Sequence, residues 1–312
     1  MTRKLELTLL LLFGVLIITK SQTIKEISID KTLSPDKYYV VEPKDSIKGV
    51  LLLFPGSYQE AESIFPETKL HNVAYVNKIL VVTFTCDKTK AYIDESVILK
   101  INRVLTDVID KFKIPRDKFV IGGYSAGGMI SLSFVEYCKQ YPEKAVINPQ
   151  AVFTVDSPVD LIDLWYTLNR VIEKNFSEAA INEAYAFLKT MKEDLKGTPE
   201  DNLGNYIKHS PYYHGIKDGG NVKFLIDIPV RLYHDPDILW QLKNRRRDFF
   251  DMNELCASAM INKLLLMGND KAEFMISDRP GYRSNGYRHP HSWSIVEEVE
   301  CIQWIRKCLR IK

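Results

Sequence analysis

From Gly49 onward the chain alternates short apolar runs with longer stretches at helical spacing, and this alternation restricts the fold more than any other feature. Residues 49–54 form a continuous apolar run ending at Pro55-Gly56, as a buried strand meets a turn. A second run, at 79–85, is rich in β-branched side chains. The period then changes over 93–112. Val97, Ile98, Ile101, Val104, Leu105, Val108 and Ile109 make one stripe, while Lys100, Arg103 and Asp107 face away. The series continues with strands at 119–121, 152–155, 229–233 and 273–276, and with helices over 126–141, about 239–267 and about 295–309. Strand-like pieces at 25–29 and 37–41 come first. Strands separated by helices pair in parallel and carry helices on both faces. With right-handed crossovers, the spacing predicts an α/β fold: a doubly wound, mostly parallel sheet of about eight strands. A charge-rich helical stretch over about 163–208 interrupts the alternation and is expected to be a lid inserted into a single domain spanning 22–312.

The first residues stand apart. Arg3 and Lys4 precede an apolar run from Leu7 to Ile18, with small residues near Ser21. A helix of that length rises about 18 Å, short of a hydrocarbon core of roughly 30 Å. Residues 1–21 therefore read as a cleaved export signal rather than a stable membrane anchor, and the mature chain is expected to be secreted or periplasmic. Its loss would take away Arg3, Lys4, Lys20 and Glu6, bringing the formal net charge from +2 to zero. A neutral domain offers no electrostatic reason to expect nucleic acid as a partner. Five cysteines are an odd number for an exported chain, so at least one thiol is free or pairs between chains. Cys301 and Cys308, if on one helix, lie about 10 Å apart along its axis, beyond disulfide reach. Small buried side chains, not a disulfide framework, are expected.

One segment carries chemistry. The predicted strand at 119–121 runs directly into Gly123-Tyr124-Ser125-Ala126-Gly127, which opens a predicted helix. A sharp strand-to-helix turn forces the serine into a strained backbone conformation with Oγ exposed above the sheet edge. Side chains two residues before and after would strike neighbouring backbone, hence glycine at both. The same turn aims the Ala126 N–H at the place where an oxyanion would form. A glycine-rich phosphate turn is the alternative, but the lysine of a phosphate loop is missing and Gly-x-Gly-x-x-Gly is not matched. On these residues and the order of its elements, the chain resembles the α/β-hydrolase superfamily, above all its secreted esterase and prolyl-oligopeptidase-like branches. The resemblance implies hydrolysis through an acyl-enzyme on Ser125, without a cofactor.

A serine nucleophile needs a histidine to take its proton and a carboxylate to orient that histidine. The resemblance implies the chain order serine, acid, histidine. Of the late histidines, His291 sits in a loop directly before the last predicted helix, in His-Ser-Trp-Ser, where similar enzymes carry one. His289 is the alternative, and His234 is expected to pack or hydrogen-bond beside the acid. His-Pro-His could also hold a metal, but no third ligand cluster accompanies it, so no metal site is assigned. The acid is expected after the strand at 229–233, in Tyr-His-Asp-Pro-Asp. Pro236 restricts Asp235 to extended backbone, which favours Asp237. Asp235 and Asp156 are the alternatives. Asp156 follows the preceding strand, and some relatives move the acid there. The second oxyanion donor is expected from the N–H of Ser57 or Tyr58, after Gly56.

Other features have plainer expectations. Arg245-Arg-Arg-Asp248 could clamp a substrate carboxylate, but a charged helical run is more often a solvated face. Asn175-Phe-Ser177 matches a glycosylation pattern, and Trp165 and Trp240 could line a pocket or pack in the interior. The leading functional expectation is hydrolysis of a small carboxylic ester or acylated saccharide. A serine peptidase of the prolyl-oligopeptidase kind and a catalytically silent binding protein are the alternatives.

Overall fold

A computed structural model describes residues 22–29 and 36–311; the expected export signal lies outside them. Among the described residues no helix is long and apolar enough to cross a membrane. Eight strands form one sheet: β1 (Ile24–Ser28), β2 (Lys37–Val41), β3 (Gly49–Phe54), β4 (Ile79–Thr83), β5 (Phe119–Tyr124), β6 (Ala151–Val155), β7 (Val230–His234) and β8 (Ala272–Ile276), in the order β1-β2-β4-β3-β5-β6-β7-β8. The β1–β2 and β2–β4 pairs are antiparallel and the remainder parallel.

The helices of seven residues or more are α1 (Leu70–Val76), α2 (Glu95–Phe112), α3 (Ala126–Gln140), α4 (Leu161–Lys174), α5 (Glu178–Asp194), α6 (Pro199–His209), α7 (Ile238–Arg245), α8 (Glu254–Leu266) and α9 (Glu298–Cys308). The pleat divides the apolar side chains of each strand between two cores. Val50, Leu52 and Phe54 join Val97, Ile101 and Val104 of α2 and Met260 of α8 on one face. Leu51 and Leu53 join Leu70 of α1 and Ile302 and Ile305 of α9 on the other. Both faces being covered is what the unbroken apolar runs demand.

Three helices, α4 to α6, lie between β6 and β7, where the insertion was expected. Leu161, Leu168, Phe187, Met191 and Tyr206 form a third core that closes on Ala126 and Met129 at the start of α3. The insertion is thereby packed over the C-terminal end of β5. It is clamped further along by Asp251, whose carboxylate accepts from Arg170 Nε at 2.7 Å and from Lys174. Trp165, half-buried, packs edge-on against Tyr206 and is not among the residues lining the pocket around Ser125. Asn175 is exposed in the left-handed turn that ends α4.

Two expectations need correction. The single helix over about 239–267 is two helices, because Arg246 adopts a left-handed conformation (φ 54°) and the chain reverses before α8. The last helix begins at Glu298, preceded by a short 3-10 turn at Trp293–Ile295. All five cysteines are free, and Cys138, Cys256 and Cys301 are buried.

Candidate active site

The strand-to-helix turn after β5 is built as its glycines require. Ser125 has φ 54° and ψ −125°, outside the conformations an ordinary residue prefers. A Cβ at Gly123 would strike the Gly127 carbonyl, and one at Gly127 would strike the carbonyls of Phe54 and Pro55. Glycine at both positions thus lets α3 start tightly against the end of β3. Ser125 remains partly exposed at the floor of a pocket of about 400 Å³.

Two side chains from distant sequence meet it there. His291 Nε2 lies 3.0 Å from Ser125 Oγ, and His291 Nδ1 lies 2.7 Å from Asp156 Oδ2. An ionised carboxylate only accepts, so Nδ1 carries the proton and Nε2 is free to accept from the serine hydroxyl. Tyr124 holds the imidazole from behind: its ring centroid is 4.6 Å from that of His291, and its hydroxyl donates to the His291 carbonyl at 2.9 Å.

Asp156 is buried and itself has positive φ (42°). Beyond His291, its Oδ1 accepts from His234 Nδ1 at 3.2 Å and from Asn253 Nδ2 at 3.1 Å. Asn253 also donates to the Asp156 carbonyl, which fixes the turn. Burial alone would raise this carboxyl, but the electrostatic attraction of His291 and the hydrogen bonds of both histidines hold it well below the usual carboxylate range. Close by, burial and the Asp156 charge push Glu254 up to about 7. Asp156, His234 and Glu254 each offer one ligand atom within 4.8 Å of the others. Both Asp156 oxygens already accept from side chains, Oδ2 from His291 and Oδ1 from His234 and Asn253.

The backbone N–H groups of Ala126 and Ser57 line the pocket without an acceptor among the described residues. Tyr58, the other expected donor, gives its N–H to the Lys88 carbonyl at 2.9 Å and is not available.

No protein-family model matches the sequence, and no curated protein matches it. Solved structures do. Carboxyl esterase 2 of the fungus Tuber melanosporum is similar with a TM-score of 0.58 at 13% identity, over 94% of this chain and 87% of that one. A fluorophosphonate-binding serine hydrolase of Staphylococcus aureus is similar with a TM-score of 0.50 at 15% identity, over 92% and 98%. The acylaminoacyl peptidase of Pyrococcus horikoshii gives 0.51 at 13% identity, over 96% of this chain but 42% of that peptidase. The chain has the α/β-hydrolase fold.

Within this α/β-hydrolase fold the carboxylate on His291 is Asp156, not Asp237 or Asp235. The reason lies in the sheet. β6 is hydrogen-bonded directly to β5, with Val155 opposite Tyr124 and the Ser125 N–H donated to the Val155 carbonyl. The residue after Val155 therefore emerges beside the serine. Asp237 instead sits in a tight turn, its N–H bonded to the Asp235 carbonyl. It caps α7 by accepting from the Trp240 N–H and pairs with Arg288 at 2.8 Å. Asp235 accepts from the Gly281 N–H and from the same arginine.

His289 does not reach Ser125. Its Nε2 accepts from Arg245 at 2.6 Å, and burial with nearby positive charge pushes it down to about 3, leaving it neutral. Trp240 stacks obliquely on His289, 4.9 Å between centroids, outside the pocket lining. Asn253, Glu254 and Arg283 escaped the sequence reading, while Arg247 belonged to the run expected to be a solvated face. Each lies in or beside a loop whose path no periodicity encodes.

Proposed function

We propose that this chain is an exported serine hydrolase that cleaves a carboxylic ester through an acyl-enzyme on Ser125. The supporting observation is the continuous hydrogen-bond chain Ser125–His291–Asp156 in a pocket that Ala126 and Ser57, with unengaged backbone N–H groups, also line. His291 Nε2 takes the Oγ proton as Oγ bonds to the acyl carbon, and Asp156 stabilises the imidazolium. The carbonyl oxygen, now an oxyanion, accepts from the Ala126 and Ser57 N–H groups. Collapse breaks the bond to the alcohol, which leaves with the proton returned by His291. Water, deprotonated by the same imidazole, then attacks the acyl carbon and releases the acid, restoring the serine hydroxyl. Export is supported by the apolar run within residues 1–21.

The test is labelling by a fluorophosphonate probe, alongside 4-nitrophenyl esters of graded chain length and an aminoacyl 4-nitroanilide. Probe should attach at Ser125, Ser125→Ala should abolish labelling and hydrolysis, and the esters should be turned over faster than the anilide. Absence of label on the wild-type chain would favour a silent binding module. Faster anilide cleavage would favour a peptidase.

A further inference from the structure

We propose that the pocket selects esters carrying a carboxylate, held by Arg245, Arg247 and Arg283; this deepens the serine-hydrolase reading and rests on it. The three guanidinium groups line the same pocket as Ser125 and His291, and all three are partly buried. The break at Arg246 brings two of them there. A continuing helix would have sent Arg247 to another face, whereas the left-handed turn returns it to the pocket while Arg246 stays exposed. The expected solvated face is thus two inward cations and one outward one.

Their charge is poorly answered by the protein. Of the carboxylates lining the pocket, Asp251 is taken up by Arg170 and Lys174, and Asp156 by His291 and His234. Glu254 is pushed up to about 7 by burial and by Asp156, which removes much of its charge near neutrality. Glu183 remains, exposed and accepting from Ser57 Oγ at 3.2 Å. One free carboxylate therefore faces three arginines.

Arg247 is the sharpest case. Its guanidinium makes no hydrogen bond or ion pair among the described residues, and burial lowers its pKa from the usual arginine value. A partly buried cation without an ion-pair partner is unfavourable, and an anion in the pocket would supply one. The other two are held in place with donors to spare. Arg245 uses one N–H on His289, and Arg283 one on Tyr124 Oη at 2.5 Å, out of five each. His289 is neutral, so it orients Arg245 without offsetting its charge. Planar, forked donors match a carboxylate. Leu164, Leu168 and Phe187 from the insertion add apolar lining. The arrangement suits an ester with one hydrocarbon portion and one ionised end.

The experiment compares matched pairs on the full chain. For the acyl side the pair is mono-4-nitrophenyl adipate and its methyl ester; for the alcohol side, 4-acetoxybenzoate and 4-acetoxybenzamide. Active sites are counted first by labelling with a neutral fluorophosphonate. The anionic member should exceed its neutral partner in kcat/KM by at least about tenfold in one pair, as expected of charge-assisted bonds in a partly desolvated site. Arg247→Gln should reduce that ratio severalfold and Arg247→Lys should keep part of it. Labelled enzyme with a ratio below about tenfold in both pairs, or a ratio undiminished in Arg247→Gln, overturns the proposal. Failure to label Ser125 overturns the hydrolase reading beneath it.

Discussion

Asp156 and Asp237 are both aspartates just past the end of a parallel strand, yet their surroundings differ completely. Asp156 gathers three side-chain donors in a buried turn, whereas Asp237 caps a helix and pairs with an arginine at a partly exposed site. Asp156→Asn should therefore lower kcat by about 10³–10⁴-fold, since an amide can present its NH2 to Nδ1 and favour the wrong tautomer. Asp237→Asn should leave turnover intact and keep the cap, costing at most about 1 kcal/mol of stability through the lost ion pair with Arg288, read from urea melts. Equal losses of turnover in the two variants would contradict this assignment. Glu254 gives a pH signature of its own. Its carboxyl is raised to about 7 in the folded chain against an ordinary glutamate value of 4.5, so near pH 6 the native state holds a proton that the unfolded state has released. That contribution to stability is complete below about pH 4.5 and lost as pH climbs towards 7. Glu254→Gln removes the dependence. Relative to wild type, the variant should gain stability between pH 5 and pH 8, measured as the shift in urea midpoint at each pH.

At the level of elements, the strand-to-helix turn was legible in the sequence because its constraint is local. Glycine at 123 and 127 and a strained serine between them follow from contacts among β3, β5 and the start of α3. The α7–α8 region was not legible. Apolar residues continue at helical spacing on both sides of Arg246, and nothing in the periodicity marks a left-handed residue there. What stops the helix is tertiary: the 3-10 turn at Phe249–Asp251 places Asp251 under Arg170 and Lys174 of α4. Asp251→Ala leaves Arg170 without a carboxylate and Lys174 with only Asp248 at 3.5 Å. It should destabilise the chain by about 2 kcal/mol, below the roughly 3–5 of a fully buried pair because both cations keep part of their exposure. A calorimetric or urea measurement finding no loss would mean that α4 is held by its apolar contacts alone.

For the whole molecule, the class of fold, the order of its elements and the strained turn that presents Ser125 can be read from the amino acids alone. These follow from side-chain period and from steric exclusion between near neighbours, which any stretch of chain carries within itself. Which aspartate orients His291, which backbone N–H groups stay unengaged and where the arginines of 245–247 point are fixed by the packed arrangement. Each of those outcomes depends on strand adjacency and on where loops turn. A carboxylate one strand nearer the serine reaches the imidazole, and one a strand further away caps a helix instead. Sequence distance does not encode that neighbourhood, because hydrogen bonds across a sheet join residues whose separation along the chain is set by whatever helices lie between them.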